Sequence, residues 1–246
     1  MALYADIELT TEEIAKALQD AKANKARVLE FEERQAQSRQ RAKELTEPFD
    51  VRGLLNFCIR FYTERFNKSF FLSSELIGPF AEYFTNDPDF EKRGYSLNKG
   101  ILIMGNVGVG KTELMKFFQK NKKQCYKVIS CNEVADDYSH FKNDIAEVYS
   151  TPIQKAMNDA DVFFQREIGY CFDDLGTEEI KNDYGNKKNV MADILMAIYN
   201  KKQFSKFFIT TNLNSEEIIE RYGSRINSRL REMFNVFVLE GNDMRK

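Results

Sequence analysis

Gly105-Asn106-Val107-Gly108-Val109-Gly110-Lys111-Thr112 follows directly on the apolar run Ile101-Leu102-Ile103-Met104 and leads into Glu113 to Lys120, a helix-compatible stretch. The pattern is GxxxxGK[ST], set between a strand and a helix. The chemistry dictates these residues. Glycines let backbone N–H groups curl around phosphate oxygens with no Cβ in the way, and the positive N-terminus of the following helix adds to the anion site. Lys111 is spaced to reach the β- and γ-phosphates, and the Thr112 hydroxyl to bind Mg²⁺. The bare pattern arises by chance in on the order of 1% of chains this long. Gly105, Asn106, Val107, Gly108, Val109, Gly110, Lys111, Thr112 and Glu113 are therefore the expected nucleotide-binding residues, with ATP and Mg as the expected cofactors.

Downstream, Tyr170-Cys171-Phe172-Asp173-Asp174-Leu175-Gly176 is a buried strand ending in two acids. A hydrolytic phosphate site needs such a pair: Asp173 beside Mg²⁺, and Asp174 to orient and polarise the attacking water. The same residues also make a good strand-terminating turn. Phe207-Phe208-Ile209-Thr210 then runs into Thr211-Asn212-Leu213-Asn214. At the end of a neighbouring strand, Asn212 would sense the γ-phosphate; alternatively Asn212 or Asn214 caps the helix that starts at Ser215. Further on, Arg225 and Arg229 stand one helical turn apart and project from one face. Such arginines either reach a neighbouring subunit's phosphate or line a solvated basic helix.

Working outward, Ile101–Met104, Lys127–Ser130, Gly169–Phe172, Phe207–Thr210 and Val236–Leu239 read as five buried strands with helical patterns between them. That alternation predicts an α/β fold with a five-stranded parallel sheet flanked by helices and joined by right-handed crossovers. Residues 99–246 form this core, and 1–98 read as an N-terminal helical region. Within it, residues 11–45 are charged and free of Gly and Pro, and Ile14, Leu18, Ala21, Val28 and Phe31 make a narrow stripe. The stripe suits a helix packed on a partner or a solvated arm equally. Helices are also expected over about Val51 to Phe66 and Ser74 to Phe84.

Composition bounds what the chain does. Among 246 residues, 36 Lys and Arg face 38 acids, a balance of −2 that excludes a strongly basic nucleic-acid coat. Gly (12) and Pro (4) make about half the usual share of roughly 12%, which argues against long linkers. Cys58, Cys125, Cys131 and Cys171 form no CxxC pair and His140 is the one histidine, so neither a zinc site nor a Ser-His-Asp centre is expected. The reduced thiols, with no signal-peptide pattern and no long apolar run, predict a cytoplasmic protein with no membrane contact. A GTPase would need Asn-Lys-x-Asp, and Asn186-Lys187-Lys188-Asn189 lacks the acid. The Leu-Ser-Gly-Gly signature of ABC proteins is absent too. A small-molecule kinase would not need the Thr-Thr-Asn strand end and paired arginines.

In that order, the phosphate loop, Asp-Asp, Thr-Thr-Asn and the run Gly223–Leu230 resemble the AAA+ ATPases, above all the DnaC-type helicase loaders and the related IstB-type transposition ATPases. Leu239-Glu240-Gly241-Asn242-Asp243-Met244-Arg245 resembles the Gly-x-x-x-Arg that closes that core. The resemblance covers about Lys99 to Lys246. It implies Asp173 as the Mg²⁺-associated acid, Asp174 as the catalytic acid, Asn212 as sensor 1, and Arg229, with Arg225 its companion, as the arginine finger. It also implies a core without the helical lid of most AAA+ proteins. The sequence departs from the family where Tyr199-Asn200-Lys201 replaces a more arginine-rich helix end, and in lacking the cysteine-rich zinc module of some loaders.

The implied function is ATP hydrolysis in DNA replication, as a helicase loader. The implied partners are a replicative helicase, gripped by the N-terminal region, and further copies of the chain in an ATP-dependent homo-oligomer. A transposase partner, or a nucleotide-gated adaptor without useful turnover, are the alternatives. Single-stranded DNA is a further candidate partner, through Lys116, Lys120, Lys122, Lys123, Lys127, Lys181, Lys187 and Lys188 with Tyr138, Phe141, Phe163 and Phe164. In most proteins such lysines are surface and such aromatics core.

Overall fold

The computed structural model describes residues 10–46, 50–68, 74–121, 123–154, 167–183, 186–241 and 243. They divide into two compact units, residues 1–47 and 48–246. The first holds α1 (Thr11–Thr46). Thr10 and Glu13 start it by exchanging hydrogen bonds, Glu13 N to Thr10 Oγ1 and Thr10 N to Glu13 Oε2, which satisfies two orphan donors of the first turn. Ile14, Leu18, Val28 and Phe31 are all exposed.

The second unit opens with α2 (Val51–Phe66), α3 (Ser74–Thr85) and the short α4 (Asp89–Lys92). Asp50 caps α2 by accepting from Gly53 N. Then come β1 (Gly100–Gly105), α5 (Lys111–Phe118), β2 (Tyr126–Ser130), and the small helices α6 (Cys131–Asp136), α7 (Tyr138–Phe141) and α8 (Ile145–Tyr149). The two-residue β3 (Ile153–Gln154) pairs antiparallel with β4 (Glu167–Leu175). A hairpin of β5 (Lys181–Asp183) and β6 (Asn186–Lys188) precedes α9 (Val190–Lys201). The chain continues through β7 (Phe207–Thr211), α10 (Ser215–Tyr222), α11 (Ser224–Met233) and β8 (Phe234–Leu239).

Five strands, in the order β2-β4-β7-β1-β8, are all parallel. They are the five apolar runs of the sequence. The fold is therefore the expected α/β sheet flanked by helices. Alternation along each strand sends residues to opposite faces. Leu102, Tyr170, Phe172, Phe207 and Ile209 meet residues of α6, α9, α10 and α11. Ile101, Ile103, Cys171 and Phe208 meet the other face, with α5.

That second face takes in residues on the N-terminal side of the expected 98/99 boundary. Leu54, Cys58 and Tyr62 of α2 and Phe80, Tyr83 and Phe84 of α3 are buried in the same core cluster as α5 and β1. Burying each such aromatic contributes about 1.5–3 kcal/mol, so α2, α3 and α4 add to the sheet's covering on this face, and the compact unit begins at Pro48. All four cysteines are buried thiols. No helix among the described residues is long and apolar enough to cross a membrane.

Candidate functional site

The site forms where β1, β4 and β7 end. β1 stops at Gly105, and the loop turns into α5 through Gly108 (φ +83°) and Gly110 (φ +90°), both in the left-handed region that side chains avoid. A Cβ on Gly108 would run into the Asp243 carboxyl group. Lys111 follows, 5% exposed. Its ammonium donates to Gly105 O (2.8 Å), Asn106 O (2.7 Å) and Asn212 Oδ1 (2.6 Å). The sequence-predicted lysine and Asn212 thus touch, 101 residues apart in the chain.

The two acids owe their positions to an irregularity. Phe172 pairs with Ile209 and Leu175 with Thr211, so Asp173 and Asp174 together oppose Thr210 alone. This is a β-bulge, which bends a strand and re-aims its side chains. Asp174 adopts φ +56°, the left-handed conformation that Asp tolerates better than most residues. Asp173 is 9% exposed. The Thr112 hydroxyl bonds both its oxygens (2.9 and 3.0 Å), and the Thr210 hydroxyl donates to Oδ1 at 2.5 Å. Burial pushes the Asp173 carboxyl above its ordinary range, and the two threonine bonds oppose that rise. Asn212 Nδ2 lies 3.5 Å from Asp174 Oδ1.

Asn212 is not the helix cap. Asn214 is, accepting from Glu216 N and Glu217 N, while the Glu217 carboxylate accepts from Asn214 N. Asn212 is thereby left to Lys111 and Asp174. Residues 105–112, Asp173, Asp174 and Asn212 form one group, and Glu113 stands at its back. Tyr62 and Lys116 both donate to Glu113. Burial raises the Glu113 carboxyl, but those bonds outweigh it and hold it below its usual value.

The arginines stand apart. Arg229 stacks its guanidinium 4.0 Å over the Tyr199 ring and donates to Tyr199 Oη (2.5 Å) and Glu232 (2.9 Å). Arg225 is exposed and makes no side-chain hydrogen bond among the described residues. Arg245 lies outside the described residues.

Several of the candidate DNA contacts have partners within the chain. Lys116 pairs with Glu113, Lys181 with Asp136 (2.7 Å) and Lys188 with Asp193 (3.6 Å). Lys123 packs over the Tyr83 ring and Tyr138 belongs to the core. Lys127, Lys187 and Phe141 remain exposed; Lys122, Phe163 and Phe164 lie outside the described residues.

The sequence did not reveal two further groups. Thr210 touches both acids, and the signal was a pair of hydroxyls, Thr210 and Thr211, ending an apolar buried strand, each of which must find a partner. Glu178, a buried carboxylate, accepts from Gly176 N at 2.8 Å, from Tyr222 Oη and from Arg221 Nε, tying the loop after the acids to α10. Nothing local marks it.

No protein-family model matches the chain, and none of the curated proteins matches it. Among solved structures it is similar to the DnaC helicase loader, with 19% identity over 58% of this chain and 79% of that one, at a TM-score of 0.42. It is also similar to AMPPCP-bound DnaA from Aquifex aeolicus, with 20% identity over 65% of this chain and 48% of that one, at a TM-score of 0.38. The chain thus spans about half the length of that DnaA structure, and at these scores both likenesses are remote.

Proposed function

We propose that the chain is a Mg²⁺-dependent ATPase of the AAA+ type, acting in DNA replication as a helicase loader. One observation carries the hydrolytic core of this reading: Lys111 bonds Asn212, and Thr112 bonds Asp173, across segments far apart in sequence. Three of the lysine's partners are neutral oxygens that a phosphate can replace. Thr112 and Asp173 are hard oxygen donors already in contact, a set that fits Mg²⁺. When bound, that ion neutralises charge on the phosphate oxygens.

This chain's residues do the rest. The 105–112 loop cradles the phosphates with backbone N–H groups, and Lys111 leaves its carbonyls for the β/γ-phosphate oxygens. Asp174 Oδ1 takes the proton of the lytic water, and Asn212 orients that water against the terminal phosphate. Arg229 or Arg225 completes a neighbouring copy's site, so activity rises with assembly. The exposed apolar side chains of α1 support a partner role for the N-terminal region. The charge balance of −2 is consistent with affinity for single-stranded DNA borrowed from assembly.

Nucleotide binding and ATP turnover by purified protein test the core. Lys111→Ala must abolish both, and undiminished turnover in that variant sinks the reading. Capture of the replicative helicase, lost upon removing residues 1–47, tests the loader role. Capture of a transposase instead would favour the transposition ATPases.

A further inference from the structure

We propose that Thr210 is the positioning residue of this site, its one hydroxyl fixing both acids in a single chain of hydrogen bonds. The proposal rests on the ATPase reading for its consequence in turnover, and on the geometry alone for its effect on the acids. The chain runs from Asp174 N–H to Thr210 Oγ1 (2.9 Å) and from Thr210 Oγ1–H to Asp173 Oδ1 (2.5 Å). A threonine hydroxyl has one proton to give and lone pairs to accept with, and here both capacities are used on neighbouring residues of another strand.

The bulge makes this hydroxyl necessary. Where two residues oppose one, the ladder cannot satisfy every backbone group, and a buried N–H without a partner is costly. Thr210, 0% exposed, supplies what the β7 backbone cannot. Its neighbour secures the far side: Thr211 donates to Leu175 O at 2.6 Å and accepts from Leu213 N. The two threonines thus bracket the bulge, and the left-handed Asp174 is held by a bond to its own N–H.

The consequence concerns Asp173. Two hydroxyls bond its carboxylate, those of Thr112 and Thr210. Thr112 is the group a metal ion would recruit, so Thr210 is the hydroxyl left to hold the carboxylate's direction. Partners of this kind, one step removed from the metal, typically change metal affinity or activity by about 10–100-fold when removed.

The test compares Thr210→Val, which keeps the shape and loses the hydroxyl, with Thr210→Ser, which keeps the hydroxyl. Binding of a fluorescent ATP analogue is titrated with Mg²⁺, and exchange of the Asp174 amide is followed in nucleotide-free protein. Thr210→Val should need about 10–100-fold more Mg²⁺ for the same nucleotide affinity, bind the Mg²⁺-free analogue as wild type does, and exchange the Asp174 amide about tenfold faster. Thr210→Ser should stay near wild type in all three. A Thr210→Val protein with the wild-type Mg²⁺ midpoint and amide protection overturns the proposal. If that variant does not fold, Thr210→Ala against Thr210→Ser decides: equal Mg²⁺ midpoints overturn it, and a shift in Ala alone upholds it. A wild-type protein that binds nucleotide without turning it over would fail the ATPase reading while leaving these readouts intact.

Discussion

The two arms of the proposed nucleotide machinery hold their charges in opposite ways. At the strand ends, Lys111 and Asp173 are buried and fixed by bonds from three separate segments. On α11, Arg229 leans on Tyr199 and pairs with Glu232 at a surface where the side chains are 29% and 50% exposed. Buried charges stripped of a partner cost about 3–5 kcal/mol, whereas exposed pairs contribute about 0–1 kcal/mol. The strand-end group is therefore assembled within one chain, while the proposed finger arginine is held only by surface contacts that a neighbouring copy's phosphate would have to outcompete.

The largest expected effect tests the assembled arm. Asp174→Asn should lower ATP turnover about 10²–10⁴-fold, the range of a lost general base, with nucleotide affinity changed only a few-fold. Single-turnover assays beside equilibrium binding check it; a parallel collapse of binding would mean that Asp174 builds the pocket instead. Glu178 extends the same arm into α10. Glu178→Ala would leave Gly176 N–H without its acceptor and Arg221 without its carboxylate, and should cost about 2–4 kcal/mol in urea unfolding. A loss below about 1 kcal/mol would put Glu178 with the loosely held charges instead.

These buried groups differ in how visible they are in the sequence. The five strands could be read because their apolar runs are buried on both faces, and the phosphate loop because its glycines serve φ values that few other residues adopt. Asp173, Asp174 and Asn212 could be placed because each ends such a run. The bulge was hidden: local periodicity does not say that Asp173 and Asp174 oppose one residue, so the double duty of Thr210 appeared only with the register. The β5–β6 hairpin lacks apolar alternation, and its polar run reads as loop. Helices α2 and α3 were expected, yet their burial against α5 depends on tertiary contacts on one face of the sheet and not on their own pattern. The ion pairs of Lys181 and Lys188 lie in the same class, set by α6 and α9.

Lys123 asks whether a third cation follows the buried rule. Burial pushes it down from 10.5 to about 7, while it donates to Leu97 O and lies 3.6 Å over the Tyr83 ring. The unfolded chain keeps that proton up to the ordinary lysine value, and the folded chain releases it above about 7. Stability therefore rises with pH from about 7, by at most about 1.4 kcal/mol per unit. Cys58, Cys131 and Cys171 act in the opposite direction. Burial raises their thiols above 9.0, so ionisation of the unfolded chain lowers stability beyond about that pH. Thermal melts should rise between pH 7 and 9 and then fall, and Lys123→Met should flatten the rise and keep the fall. A rise that survives the substitution belongs to another group.

The smallest effect falls on the proposed finger arginine. Tyr199→Leu removes the ring beneath Arg229 and the hydroxyl it bonds. An exposed cation–π contact contributes about 0.5–1 kcal/mol, so the fold should lose less than about 1 kcal/mol. The same energy, no longer holding Arg229 at home, should favour its transfer to a neighbour. One kcal/mol corresponds to about fivefold in an equilibrium. The protein concentration at half-maximal ATPase should then fall by at most about fivefold, while Arg229→Ala abolishes the concentration dependence. If Tyr199→Leu raises that concentration instead, Tyr199 is not a resting place but a support that aims Arg229 outward, and the arginine arm is as preassembled as the strand ends.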